Sequence, residues 1–336
     1  MSEPLLELRA VGKRFVKPLG SVARVAKLLG AGAREEVVQA VDGVDLTITK
    51  GEVVGIVGES GCGKSTLGRI AAGLIEPSGG SRRWQGRETN HLASVEKYRA
   101  RLAVQMIFQD PYASLNPRLR VEEIIGEAPR VHGLMSRSHW RDEVAALMQR
   151  VGLDASLMRR YPHQLSGGQR ARVGIARALA VKPELLVCDE PVAALDVSIQ
   201  AQVLNLFAEL KRDLGLTYIF ISHDLGVVKY LADRIVVMYL GRIVESAPAD
   251  ALFARPNHPY TRALLAEMPR IESRRRTFAA IRGEIPSPLA PPSGCHFHPR
   301  CPHAMPRCKM ERPALVDIAP AHNASGHASA CFLNET

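Results

Sequence analysis

No stretch of this 336-residue chain approaches the roughly 18 consecutive apolar residues of a membrane-crossing helix, so no helical span is expected. Its beginning, MSEPLLELRA, carries Glu3 and Glu7 and lacks a basic segment followed by an apolar run, so no secretory leader is expected either. Aromatic residues make up only 5% of the chain, and no segment interleaves them with basic residues, so the stacking platforms that hold single strands are not evident. Cysteine is scarce through the first 293 residues, where only Cys62 and Cys188 occur. A cytoplasmic setting follows as the expectation, in which clustered cysteines more often mean metal than disulfide.

What is present suffices for a large core. With 46% hydrophobic and 23% charged residues, the composition is that of a globular chain of more than one domain. The net charge of +10 suits nucleic acid, an anionic membrane face or a solvated Arg-rich surface. Phosphate-bearing nucleotides and an anionic leaflet explain it more simply.

The strongest local pattern is GEVVGIVGESGCGKSTLGRIAAGLI, residues 51–75. Val53, Val54, Ile56 and Val57 read as a short buried strand, and 58–65 fit the G-x-x-x-x-G-K-[ST] phosphate loop. Leu67, Ile70, Ala71 and Leu74 recur at helical spacing and give the following helix one apolar face. Gly58, Gly61 and Gly63 let backbone NH groups close around phosphates, and the helix N-terminus adds its positive end. Lys64 is expected on the β- and γ-phosphates and Ser65 on Mg²⁺.

Two further patterns complement this loop. LLVCDEP, residues 185–191, reads as a central parallel strand whose tip presents Asp189 to the metal and Glu190 to the attacking water. In LSGGQRARVGIARALA, residues 165–180, Ser166 with Gly167 and Gly168 caps a helix whose free NH groups make a second anion site. Val173, Ile175, Ala176 and Leu179 supply its buried face.

With these segments in this order, the chain resembles the nucleotide-binding subunit of an ATP-binding-cassette (ABC) transporter over residues 5 to about 255. LSGGQ is that family's signature. The resemblance implies an α/β fold: a P-loop ABC ATPase core at 1–255 with an antiparallel β subdomain and a helical subdomain at about 112–178. It implies that Gln109, in MIFQDP, senses the γ-phosphate and metal, that Asp196, in AALD, links two active sites, and that His223, in ISHD, is the switch histidine. Ser60, Cys62 and Thr66 fall on the loop around ATP, and Phe15, in GKRF, lies where an aromatic often meets adenine. Two subunits pack head to tail in this family, so Ser166, Gly167, Gly168 and Gln169 would contact ATP held by the partner. Ala193 and Ala171 depart from a usual serine and glutamine, away from the phosphate chemistry. Cys62 and Cys188 read as structural, although Cys62 could make ATP binding sensitive to thiol reagents.

The subfamily is written in other segments. DPYASLNPR, residues 110–118, resembles the stretch of oligopeptide and dipeptide importers that docks a membrane subunit, and Val144, Leu147, Met148 and Val151 continue it as a helix. NHPYTRALL (257–265) and GEIPSPLAPPSGCHFHPRCPHAMPRC (283–308) are very like the tail of the oligopeptide/dipeptide/nickel ATPase subfamily, implying a C-terminal domain at 256–336. Between them, RIESRRR (270–276) reads as a solvated basic run.

That tail gathers Cys295, Cys301, Cys308 and Cys331 in a segment rich in Pro and His and poor in core-forming residues, so a ligand holding it together is expected. Four thiolates suit Zn²⁺ or an iron–sulfur cluster, and the spacing decides neither. His296, His298 and His303 could replace a cysteine as ligand, though a solvated histidine is the plainer reading of each. The resemblance implies a [4Fe–4S] cluster, with zinc as its alternative.

The function so implied is ATP hydrolysis driving import of di- or oligopeptides, with nickel or another small solute as the alternative cargo. A second related ATPase, two membrane permeases and an extracytoplasmic binding protein would be its partners at the cytoplasmic face of a bacterial membrane. No nucleic acid is expected. A DNA-acting cassette ATPase is the rival, disfavoured because no zinc-type insertion separates Gly58 from Leu165 and no long heptad segment appears. A redox sensor that gates the ATPase through its cysteines is compatible with transport.

Overall fold

The structure is a computed structural model that describes residues 3–17, 36–110, 112–136, 138–268, 283–318 and 326–335. The basic run at 270–276 lies outside the described residues.

Strands β1 (Pro4–Lys17) and β2 (Glu36–Thr49) pair antiparallel. Leu6, Leu8 and Val11 on one and Val44, Leu46 and Ile48 on the other are buried, with more exposed residues between them, the period-two pattern of a sheet covered on one face. Strand β3 (Val53–Val57) is buried at all five positions, as a parallel strand covered on both faces must be. It feeds the loop 58–63 and helix α1 (Lys64–Ala71), whose Leu67, Ile70 and Ala71 face the sheet. Leu74 does not share that face. The helix ends at Ala71 and Gly73 turns at φ 72°, which leaves Leu74 exposed. Strands β4 (Gly79–Trp84) and β5 (Arg87–Glu88) complete the antiparallel sheet in the order β2-β1-β4-β5.

After α2 (Ser94–Ala103) and β6 (Val104–Ile107) come the helices α3 (Val121–Val131), α4 (Trp140–Arg150) and α5 (Gly167–Leu179). Ile124, Ile125, Val144, Met148, Val173 and Ile175 join in one buried cluster, as their helical spacing predicts, and Leu147 packs against it partly exposed. The chain then alternates β7 (Leu185–Asp189), α6 (Val197–Leu214), β8 (Thr217–Ile221), α7 (Leu225–Leu231) and β9 (Arg234–Tyr239). Strands β6, β7, β8, β3 and β9 are parallel neighbours in that order, so the tips of β3 and β7 open on one edge.

Strand β10 (Arg242–Pro248) turns back against β9, and helices α8 (Ala249–Ala254), α9 (Pro259–Ala266) and α10 (Pro306–Met310) follow. The cysteine-rich part does not stand apart. Its strands β11 (Val316–Asp317) and β12 (Ala328–Ser329) add to the main sheet, β12 against β10. Phe297 is buried with its ring 5.3 Å from Tyr239 and 5.4 Å from Tyr260. Beneath this cluster, the fully buried Glu245 accepts from the main-chain NH groups of Asn257 (2.7 Å) and His258 (2.9 Å) and pairs with His327 Nε2 at 2.7 Å. The apolar surface that the tail lacks is supplied by the cassette, and one sheet runs across residue 255.

Candidate functional site

The loop between β3 and α1 is shaped by close approaches. Gly58 (φ 150°) would put a Cβ 2.2 Å from Met238 O, and Gly63 (φ 104°) one 2.2 Å from Ala40 O, so both positions require glycine. The buried Lys64 turns its Nζ back on the loop, donating to Gly58 O at 2.7 Å and Glu59 O at 3.0 Å. On its other side Ser65 Oγ donates to Asp189 Oδ1 at 2.8 Å, which brings two hard oxygen ligands together at the start of α1. Burial pushes the Asp189 carboxyl above its ordinary range, the Ser65 hydrogen bond opposing.

Glu190, one residue past β7, sits at φ 48°, a left-handed conformation that a glutamate adopts at a cost of ~1–3 kcal/mol. It is held there by its own NH on Ile221 O at 3.0 Å. Its Oε2 accepts from Gln109 Nε2 at 2.8 Å and lies 3.2 Å from His223 Nδ1. Ala10, Gln85, Lys182 and Leu240 share such positive φ values, and of these five Glu190 alone lines the pocket with Gln109 and His223.

These groups line one pocket of about 500 Å³: Ser60, Gly61, Gly63, Lys64, Ser65 and Thr66 from the loop, with Gln109, Glu190 and His223 opposite. Asp189 stands behind Ser65. Val38, Ala40 and Pro288 complete the wall, and sequence reasoning passed over all three. Val38 was within reach, because it is the register partner of Phe15 across the β1–β2 pair. Phe15 itself is an exposed ring beside that wall. Cys62 is buried, and burial pushes its thiol up, so it is shielded from the reagents expected to reach it.

Ser166, Gly167, Gly168, Gln169 and Asp196 are not among the residues of this pocket. Ser166 Oγ accepts from Gln169 NH at 3.2 Å, and Gln169 Oε1 accepts from Ser166 NH at 2.9 Å, a capping box that fixes the start of α5. Asp196 caps α6 by position, without a side-chain bond.

In the tail the four cysteines are free thiols. Burial pushes Cys295 up to about 11, with smaller contributions from Cys308, Cys301 and Cys331, so all four share one electrostatic neighbourhood. Among the described residues no group of three or more His, Cys, Asp or Glu is set to hold a metal ion, and the geometry supports neither the [4Fe–4S] expectation nor its zinc alternative. His296 Nδ1 is bonded to Leu240 O (3.0 Å) and His298 Nδ1 to Cys295 O (2.9 Å), which ties both rings to the backbone. Burial lowers His296 to about 4.

Residues 41–193 match the family described as ABC transporter, and residues 244–308 match the C-terminal region of oligopeptide/dipeptide transporters. The oligopeptide transport ATP-binding protein AppF of Bacillus subtilis (strain 168) is 48% identical over 330 residues, 97% of each chain. The chain belongs to the ABC transporter family. The oligopeptide transport ATP-binding protein OppF of Escherichia coli (strain K12) is 52% identical over 281 residues, 82% of this chain and 84% of the relative. Among solved structures, a dimeric, post-hydrolysis form of the ATP-binding cassette MJ0796 with ADP and Pi superposes with a TM-score of 0.61 at 29% identity. It covers 73% of this chain and 98% of that one. The pocket described above lies mostly within the segment that matches the ABC transporter family, with Val38, Ala40, His223 and Pro288 reaching it from outside.

Proposed function

We infer that this chain is the ATP-hydrolysing subunit of an ABC importer whose cargo is di- or oligopeptides. One observation carries the ATPase chemistry: Glu190, Gln109 and His223 converge opposite Lys64 and Ser65 in one pocket. The match of 244–308 to oligopeptide/dipeptide transporters, and the naming of AppF and OppF as oligopeptide transport proteins, carry the cargo class.

Lys64, released from the loop carbonyls, neutralises the β- and γ-phosphates, while the NH groups of 60–66 bind their oxygens. Ser65, Gln109 and Asp189 would hold Mg²⁺, which when bound neutralises charge on the phosphates. Glu190 accepts a proton from the attacking water, and its bond to Gln109 keeps the carboxylate aimed at that water. His223 holds the γ-phosphate side, 3.2 Å from the same carboxylate. Ser166, Gly167, Gly168 and Gln169 serve a second cassette, since they stand outside their own pocket and present a capped helix N-terminus. A head-to-tail pair with a related ATPase is the assembly this supports, in keeping with the dimer of MJ0796.

Membrane permeases dock on the helical subdomain, at a groove of about 640 Å³ lined by Leu119, Glu123, Glu127, Arg130, Val131, Met135 and Trp140. Its exposed Val131 offers an apolar contact. The peptide arrives through an extracytoplasmic binding protein, and this chain works at the cytoplasmic face. Cys295, Cys301, Cys308 and Cys331, which share one electrostatic neighbourhood, would hold a [4Fe–4S] cluster, with Zn²⁺ as the alternative; either would supply the positive charge that four neighbouring thiolates need.

The test is ATP-dependent uptake of a labelled dipeptide and a labelled oligopeptide by vesicles reconstituted with the partner subunits. Uptake lost in Glu190→Gln supports the reading, and nickel uptake without peptide uptake would overturn the cargo.

A further inference from the structure

The cysteine-rich segment reaches the phosphate loop itself. Three polar groups of Glu59, between Gly58 and Ser60, are each occupied. Its NH donates to Tyr260 Oη at 2.8 Å, its carbonyl accepts from Lys64 Nζ at 3.0 Å, and its carboxylate takes two bonds from Arg300, at 2.7 and 2.9 Å. Tyr260 belongs to the HPY segment of α9 and Arg300 to CHFHPRC, so the partners of the Glu59 NH and of its carboxylate both come from beyond residue 255.

Arg300 is not a loosely held surface cation. Its side chain is 4% exposed, its backbone NH bonds Phe297 O at 3.0 Å, and Phe297 is locked among Tyr239 and Tyr260. Gly294 O accepts from Arg242 Nη1 at 2.9 Å, which anchors the start of the segment, and Cys301, next to Arg300, packs partly buried against the cluster that holds Phe297. A forked guanidinium in such a frame fixes the direction of a carboxylate as well as its charge. The need is plain, because Glu59 puts a negative charge on the loop that must wrap a polyphosphate.

We propose that Arg300 is a positioning residue for nucleotide binding: it neutralises Glu59 and holds it away from the phosphates, so ATP affinity depends on the docked cysteine-rich segment. The segment then acts on ATP binding and not on the chemical step, since neither Arg300 nor Glu59 touches Glu190, Gln109 or His223. The inference rests on ATP binding at Lys64.

The experiment measures ATP affinity by equilibrium titration and kcat and KM by steady-state hydrolysis, in the full-length chain. Arg300→Ala is expected to raise the Kd and KM for ATP about tenfold, the scale of one charge-assisted pair. Its kcat at saturation stays within about twofold, because the lost interaction is not special to the transition state. Arg300→Lys falls between, keeping charge without the fork. The double variant Glu59→Gln with Arg300→Ala should return close to wild-type affinity, since the unneutralised charge is gone. An unchanged Kd in Arg300→Ala overturns the proposal, and so does a double variant as weak as Arg300→Ala, which would mean the tail had merely come loose. Retained ATP binding in Lys64→Ala would instead remove the premise of a nucleotide on this loop, and the inference with it.

Discussion

Arg300 and Glu59, 241 positions apart in the chain, meet in a two-point ion pair with bonds of 2.7 and 2.9 Å. The pair joins the cysteine-rich tail to the phosphate loop. A segment within the oligopeptide/dipeptide transporter match, 244–308, is thereby in contact with a loop within the ABC transporter match, 41–193.

The strained Glu190 leads to the first prediction. Glu190→Gln keeps the shape and loses the proton acceptor, so ATP binding is retained and hydrolysis falls by about a hundred- to ten-thousand-fold. Single-turnover hydrolysis measures it, and near-wild-type turnover would remove Glu190 from the role of base.

Gly63→Ala adds a Cβ 2.2 Å from Ala40 O at a residue with φ 104°. Relief requires the loop or β2 to move, at a cost of ~1–3 kcal/mol from the backbone conformation alone. Thermal unfolding should begin earlier and ATP binding should be lost; a variant with wild-type affinity would show that the loop adapts.

The helical groove gives a test separate from nucleotide chemistry. Val131→Glu, at an exposed position on its rim, should leave ATP binding by the chain unchanged. Peptide uptake by the reconstituted transporter should fall about tenfold or more, as a charge placed in an apolar contact would require. Undiminished uptake would move permease docking elsewhere.

His258 gives a pH dependence. Burial lowers its imidazole from 6.5 to about 4, so below pH 6.5 the unfolded chain takes up a proton that the folded chain refuses. Stability is therefore full above pH 6.5 and falls as the pH is lowered toward 4. For Glu245, burial raises the carboxyl but the bonds from His327 and from the main-chain NH groups of Asn257 and His258 oppose it, and its net lowering acts in the same direction in acid. Urea midpoints at pH 7 and pH 5 measure the effect, and equal midpoints would contradict the burial of His258.

Anaerobic purification tests the cysteines. The cluster reading expects about four iron and four sulfide per chain in the wild type, and much less in Cys301→Ser. Stoichiometric zinc without iron would overturn it.

The phosphate loop, the LLVCDEP strand and the LSGGQ helix were legible in the residues because each is a local device. A glycine needed for a close approach, an apolar run ending in carboxylates and a capping serine carry their reasons within a few positions. The end of α1 was misjudged at Leu74, where spacing alone extended a helix that Gly73 stops. Val38, Ala40 and Pro288 escaped notice because only strand register and chain return bring them to the pocket.

By itself, then, the sequence determined the chemistry: Lys64, Ser65, Asp189, Glu190 and His223 announce phosphate binding and hydrolysis, and the tail announces the subfamily. Tertiary structure alone decided how the two are joined. Glu59 occupies a loop position that the motif leaves open and Arg300 sits between two histidine-bearing turns, and neither residue type predicts the other. Their pairing exists because Phe297, Tyr239 and Tyr260 bury one another and β12 adds to β10, long-range burial that no local pattern encodes.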